Sequence, residues 1–241
     1  MERIDDLQCK GYKIIQDTEG FCFGMDSVLL SDFAKEIKKK SKVIDLGTGN
    51  GILGILLCAK TELEKIIGIE IQKESFELAN KNIIYNNLEK RFEVINVDVK
   101  EISKVLERGI FDVVVSNPPY KKENSGLKNE EKRKTIARHE IMGSLDDFLK
   151  ATSYLLKDKG VLYLVHRPNR LVDICSTLRK NHLEPKRMKF VYPKIDKEPN
   201  LILIKAVKNA KPELRIEKPL IVYKENGEYT DEIMKIYNKG D

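Results

Sequence analysis

Short apolar runs rich in Val and Ile recur along the chain, and between them apolar residues return every three or four positions. The runs Lys42 to Leu46, Ile66 to Glu70, Phe92 to Val97, Phe111 to Ser116 and Gly160 to Val165 have the length and β-branched content of buried strands. The intervening stretches Gly51 to Thr61, Lys73 to Asn86 and Ser144 to Lys157 carry helical spacing, and Lys157-Asp158-Lys159-Gly160 reads as a helix end and turn. Alternation of this kind predicts a parallel sheet with helices on both faces. After Pro168 a further helix is predicted to about Asn181, then two β-like runs, Met188 to Tyr192 and Leu201 to Val207. Their connector, Pro193 to Asn200, is too short for a crossover helix, so this pair is expected to be antiparallel. The predicted fold is α/β: a doubly wound, mostly parallel seven-stranded sheet with an antiparallel C-terminal edge hairpin. One domain is expected over 1–241, comprising an N-terminal cap segment (1–40), a core (41–207) and a C-terminal tail (208–241).

Composition narrows the class. Apolar residues make up 41% of the 241, charged residues 34%, and no apolar stretch approaches the roughly 20 residues of a membrane span. The opening Met1-Glu2-Arg3-Ile4-Asp5-Asp6 lacks the apolar core of a signal peptide, so a cytoplasmic location is expected. Cys9, Cys22, Cys58 and Cys175 form no CxxC pair, which argues against zinc and disulfides; no metal is expected. The net charge of +6 is unevenly placed, with ten basic and four acidic residues between Lys186 and Lys218. A second basic cluster comprises Lys121, Lys122, Lys128, Lys132, Arg133, Lys134 and Arg138. Such runs are either solvated faces or phosphate-binding surfaces, and proximity to the chemistry described next favours nucleic acid.

That chemistry sits at predicted strand ends. The first strand runs into Asp45-Leu46-Gly47-Thr48-Gly49-Asn50-Gly51, a glycine turn before a helix, where a ligand approaches the backbone closely. Gly49-x-Gly51-x-x-Gly54 also satisfies the pyrophosphate-binding pattern. Asp45 ahead of Gly47, however, suits a ligand with a positive amino group, and electrostatics favours S-adenosylmethionine (SAM). Gly54 is then a helix residue placed for close packing on the sheet. Glu70, ending the second strand, lies where a ribose diol binds, and Asp98, after the third, where an adenine amino group is read.

The fourth strand delivers Asn117-Pro118-Pro119-Tyr120. The prolines fix φ and restrict the residue before each, so Asn117 is held extended and the Pro118 carbonyl points in a set direction. An amide oxygen and a carbonyl arranged this way accept both hydrogens of an exocyclic NH2 and draw its nitrogen lone pair out of conjugation. Tyr120 offers a face for stacking.

Assembled, these residues resemble the class I SAM-dependent methyltransferases, in the branch that methylates amino nitrogens. Two flanking passages sharpen the resemblance: Lys13-Ile14-Ile15-Gln16-Asp17-x-x-Gly20-Phe21-x-Phe23-Gly24-x-Asp26-Ser27-Val28-Leu29-Leu30, and His166-Arg167-Pro168 with Val191-Tyr192-Pro193-Lys194 and Lys197-x-Pro199-Asn200-Leu201. Both are similar to the bacterial tRNA adenine-N6-methyltransferases that modify an adenine beside the anticodon of a valine tRNA. The resemblance implies that Asp45, Gly47, Gly49 and Gly51 hold the amino-acid part of SAM, Glu70 its ribose and Asp98 its adenine. Asn117, Pro118 and Tyr120 are implied to hold the target base, with Asn117 also beside the cofactor. Phe23, Asp26 and Ser27 are expected to close over the methyl-donor end, Asp26 or Ser27 capping the helix that follows and Phe23 either walling the pocket or stapling that helix. Lys121, Lys122, Arg138, Arg167, Lys186, Arg187 and Lys194 are the candidates for RNA contact; His139 reads as a solvated surface residue. The competing functions are a protein glutamine N5-methyltransferase, a DNA adenine methyltransferase and a non-catalytic RNA- or SAM-binding protein. The basic C-terminal region and the flanking passages weigh against the first, the absence of a sizeable recognition insert against the second, and the intact motifs against the third.

Overall fold

The Val- and Ile-rich runs become parallel strands because, buried on both faces, they have no polar side to show water. The computed structural model describes residues 2–17, 24–120 and 143–237. In chain order the elements are β1 (Glu2–Asp6), β2 (Lys13–Asp17), α1 (Met25–Phe33), β3 (Lys42–Leu46), α2 (Ile52–Lys60), β4 (Lys65–Glu70), α3 (Lys73–Tyr85), β5 (Phe92–Asn96) and β6 (Phe111–Ser116). There follow α4 (Leu145–Leu155), β7 (Leu156–His166), α5 (Leu171–Lys180), β8 (Leu183–Tyr192), β9 (Leu201–Lys208), β10 (Arg215–Ile216), β11 (Leu220–Ile221) and α6 (Asp231–Ile236).

The main sheet runs β5-β4-β3-β6-β7-β9-β8, parallel except that β9 lies antiparallel to both β7 and β8. The seven expected strands and the antiparallel pair are thus present, but the pair does not form the outermost edge. Two short strands, β10 and β11, extend it by pairing along β8. Successive strand residues alternate between two cores. Val43, Val113, Val115 and Val165 join α1, α2 and Ile233 of α6 on one face. Ile44, Leu46, Val114, Leu162 and Leu164 join α4 and α5 on the other. Each fully buried aliphatic side chain contributes about 1.5–3 kcal/mol.

Gly54 has the packing role expected of it: a Cβ there would lie 2.4 Å from the Phe92 ring, so only glycine lets α2 sit this close to β5. Two expectations need correction. Lys157 to Gly160 do not form a turn; they lie inside β7, where the pairing slips between Phe111 and Val113, and the positive φ of Lys159 marks the irregularity. Nor does Asp26 or Ser27 cap α1, whose N-cap is Gly24 with no side-chain cap bond.

The cap segment holds an antiparallel hairpin, β1 with β2, that is separate from the main sheet. Side-chain amides of α3 dock it. Asn82 accepts from Ile15 N and donates to Ile15 O, and Asn86 likewise accepts from Lys13 N and donates to Lys13 O.

Candidate active site

The C-terminal ends of β3, β4, β5, β6 and β7 open on one side of the sheet, where a doubly wound fold places ligands. The turn after β3 is built on three positive φ angles, at Gly47 (+75°), Gly49 (+59°) and Gly51 (+85°). Gly47 N and Thr48 N both donate to Ile69 O, which ties the turn to the end of β4. Glu70 is buried, accepting from Gly49 N at 2.9 Å and from Gln72 N at 2.8 Å, so it braces the turn from below. Burial raises its carboxyl above the usual carboxylate range. Asn82 also donates to Asn50 O, joining the turn to the hairpin through one buried amide.

Two buried polar atoms in this turn lack protein partners: Asp45 Oδ1 and Asn50 Nδ2. Asp45 Oδ2 accepts from Thr48 Oγ1 at 2.6 Å. Burial, with Glu70 nearby, raises the Asp45 carboxyl to about 7. A buried acid with an open oxygen keeps hydrogen-bonding capacity that a polar or cationic group can use. Asp98 stands just beyond β5, accepting from Lys100 N at 2.9 Å, with the Lys100 ammonium 3.2 Å from its other oxygen.

Across the crevice Ser116 Oγ donates to Leu46 O, pinning the end of β6 to β3. Asn117 through Tyr120 follow. The Tyr120 hydroxyl donates to Asp26 Oδ2 at 2.7 Å and is also within reach of Asn117 Oδ1. Asn117 Nδ2 lies 3.4 Å from Ser27 Oγ. Asp26 and Ser27 are therefore brought to the Asn117 side of the crevice. The Tyr120 ring is held by the Arg167 guanidinium, 5.0 Å from its centroid, and edge-on by His166, also 5.0 Å away. Burial holds His166 near pKa 4, a neutral ring whose Nδ1 accepts from Arg167 N. Burial beside Asp26 keeps the Tyr120 hydroxyl protonated.

The basic candidates divide. Arg167 is in the crevice, its guanidinium also donating to Asn200 O, and Lys194 is half-buried on the connector at the same end of the sheet, its ammonium donating to Glu225 O at 3.2 Å. Lys186 and Arg187 lie farther back along β8, which runs antiparallel to β9. Arg187 is consumed by Glu217 and Glu36, each at 2.5 Å, and stacks over Phe33; Lys186 turns to Glu213 and Lys211 O. Both are thus engaged within the chain. Phe23, Lys121, Lys122, Arg138 and His139 lie outside the described residues. Sequence reasoning missed Thr48, Asn50, Asn82 and His166 as parts of the site; Thr48 and Asn50, inside the glycine motif, and His166, opening a flanking passage, carried a visible signal, and Asn82 carried none.

An acid-flanked glycine turn facing a rigid Asn-Pro pair across doubly wound strand ends is the layout of a class I SAM-dependent methyltransferase. Residues 24–182 match the model of the methyltransferase small domain, and the chain belongs to that family. A tRNA1(Val) (adenine(37)-N6)-methyltransferase of Haemophilus influenzae is 27% identical over 229 residues, covering 94% of each chain. The protein of the same name from Porphyromonas gingivalis is 28% identical over 239 residues, covering 96% of this chain and 93% of that one. Among solved structures, a predicted O-methyltransferase of Agrobacterium tumefaciens superposes with a TM-score of 0.71 at 21% identity, covering 90% of this chain and 97% of its own.

Proposed function

We propose that the protein methylates the N6 nitrogen of an adenine in tRNA, at the position beside the anticodon. The observation that carries the reading is Asn117-Pro118-Pro119-Tyr120 fixed at the end of β6 opposite the glycine turn, in a chain whose full-length relatives bear a tRNA adenine-N6 name. The turn fits SAM: the unpartnered Asp45 Oδ1 suits an ammonium, and no atom stands within 4 Å of where a Cβ of Gly49 would be. We assign Asp45, Gly47, Gly49 and Gly51 to the amino-acid portion, Glu70 to the ribose and Asp98 to the adenine of the cofactor. When bound, SAM supplies an electrophilic methyl for in-line attack by the target nitrogen. Asn117 Oδ1 and Pro118 O accept the two amine hydrogens, and the Tyr120 ring packs on the base. Alignment of two bound reactants accounts for roughly 7–11 kcal/mol of barrier lowering, so the reaction does not require a strong general base. A loop adenine reaches Asn117 at a cost of a few kcal/mol, less than a base in a duplex. We assign Arg167 and Lys194 to the flanking phosphates. We read 1–241 as one domain working in the cytoplasm; no helix among the described residues is long and apolar enough to cross a membrane.

The test is transfer of labelled methyl from SAM to unmodified tRNA, followed by nucleoside analysis, with Asn117→Ala alongside. We expect N6-methyladenosine, falling by about 10²–10³-fold in the variant while S-adenosylhomocysteine still binds. Cofactor binding without label in tRNA sinks the reading, and label appearing instead on protein glutamine transfers the site to that substrate.

A further inference from the structure

The Tyr120 hydroxyl has one proton and two acceptors, Asp26 Oδ2 and Asn117 Oδ1. The second is the oxygen that the functional reading above assigns to the target amine, and this inference rests on that reading. A hydroxyl proton spent on Asn117 Oδ1 takes one of its two lone pairs and competes with the amine for that oxygen. The Tyr120 ring is clasped between Arg167 and His166, so the choice between acceptors is made by turning the O–H bond rather than by moving the ring. Among the described residues no acceptor other than these two is within reach of that proton.

We propose that Asp26 is a positioning residue whose carboxylate draws the Tyr120 hydroxyl proton away from Asn117 Oδ1 and so keeps that oxygen open to the incoming amine. An ionised carboxylate is the stronger acceptor, and hydrogen bonds to it are about twice as strong as those between neutral groups. The placement of Asp26 agrees. It stands in the first turn of α1, where an Asp commonly caps, yet it makes no cap bond, and Gly24 takes the cap position. Its carboxylate is instead directed at Tyr120, 94 residues away in the chain. Holding the cofactor, the role its sequence position implied, would not require that contact.

The proposal makes an unusual demand on genetics: removing the hydroxyl should repair the loss of the carboxylate. We expect Asp26→Ala to lower kcat on tRNA by about tenfold or more, with S-adenosylhomocysteine affinity changed less than about threefold. Adding Tyr120→Phe, which keeps the ring but deletes the competing donor, should raise kcat at least about fivefold above Asp26→Ala alone. Asp26→Asn, whose neutral amide oxygen accepts the hydroxyl no better than Asn117 Oδ1 does, should fall between Asp26→Ala and wild type and controls for folding. A double variant no faster than Asp26→Ala overturns the proposal, as does a loss of cofactor affinity that matches the loss in rate. A wild-type enzyme that binds cofactor but labels no tRNA overturns the functional reading itself and the proposal with it.

Discussion

On the glycine-turn side of the crevice the shape is set by main chain, whereas on the Asn117 side it is set by side chains drawn from distant elements. Ile69 O receives two successive turn amides and the Glu70 carboxylate a third, so the turn is tied to one neighbouring strand end, chiefly through main chain. Opposite, Tyr120 is positioned by Asp26 from α1 and by His166 and Arg167 at the end of β7. The difference teaches where each half is sensitive. The first half is vulnerable to added volume or altered charge in its sealed interior, the second to removal of single polar groups.

The largest effect expected from breaking that contrast is at Asp45. Its carboxyl is raised by burial from the ordinary 3.8 to about 7 in the folded chain. The folded state therefore keeps a proton that the unfolded state releases, so stability falls as pH rises from about 4 to 7, by up to ~1.4 kcal/mol per unit. Asp45→Asn removes this dependence: thermal melts of the unliganded variant should match wild type at the acid end of that range and exceed it at pH 8. The same change deletes the anion offered to the cofactor ammonium, and S-adenosylhomocysteine affinity should fall about ten- to a hundredfold. Equal melts at pH 8 would show that the carboxyl does not titrate as a buried acid.

Next in size is Gly54→Ala, whose added methyl meets the Phe92 ring at 2.4 Å. A loss of about 1–3 kcal/mol is expected in denaturant unfolding, partly recovered by Phe92→Leu. No loss would mean that α2 shifts freely on the sheet and that the turn it follows is less rigid than its hydrogen bonds imply.

The smallest effect sharpens the other half. Lys194→Ala should weaken tRNA binding a few-fold and reduce the salt slope by about one. Arg187→Ala should leave both unchanged and lower the unfolding midpoint, because it takes the guanidinium from Glu217 and leaves Glu36 with Lys205 alone. A reversal of the two outcomes would move the RNA path away from the crevice and along β8.

Much of the sheet was legible because a strand buried on both faces writes a continuous Val/Ile run, as in Phe111 to Ser116, whose bounds match β6. The glycine turn and Asn117 to Tyr120 were legible for a related reason: few residue types give those backbone shapes. The hairpin strand β1 was not, since Glu-Arg-Ile-Asp-Asp is mostly exposed and the hairpin is held by amides of α3 some 70 residues away. Lys157 to Gly160 misled because turn-forming residues also build bulges. The ion pairs of Arg187 were not legible, because charge density in a sequence does not reveal an internal Glu partner. The bond between Asp26 and Tyr120 was not legible, because reading it required knowing that residue 120 folds back against residue 26.

The antiparallel strand β9 lies between β7 and β8, although β8 leaves the ribosome first. During synthesis β8 therefore has no permanent neighbour in the sheet until residues 201–208 emerge and slot in beside it. The clasp between Arg167 and Asn200, which steadies the residue lying over Tyr120, waits for the same event. The glycine turn, by contrast, has all its partners once β4 and α3 are made. The residues that shape the glycine turn are thus all synthesised well before the last of those that steady Tyr120.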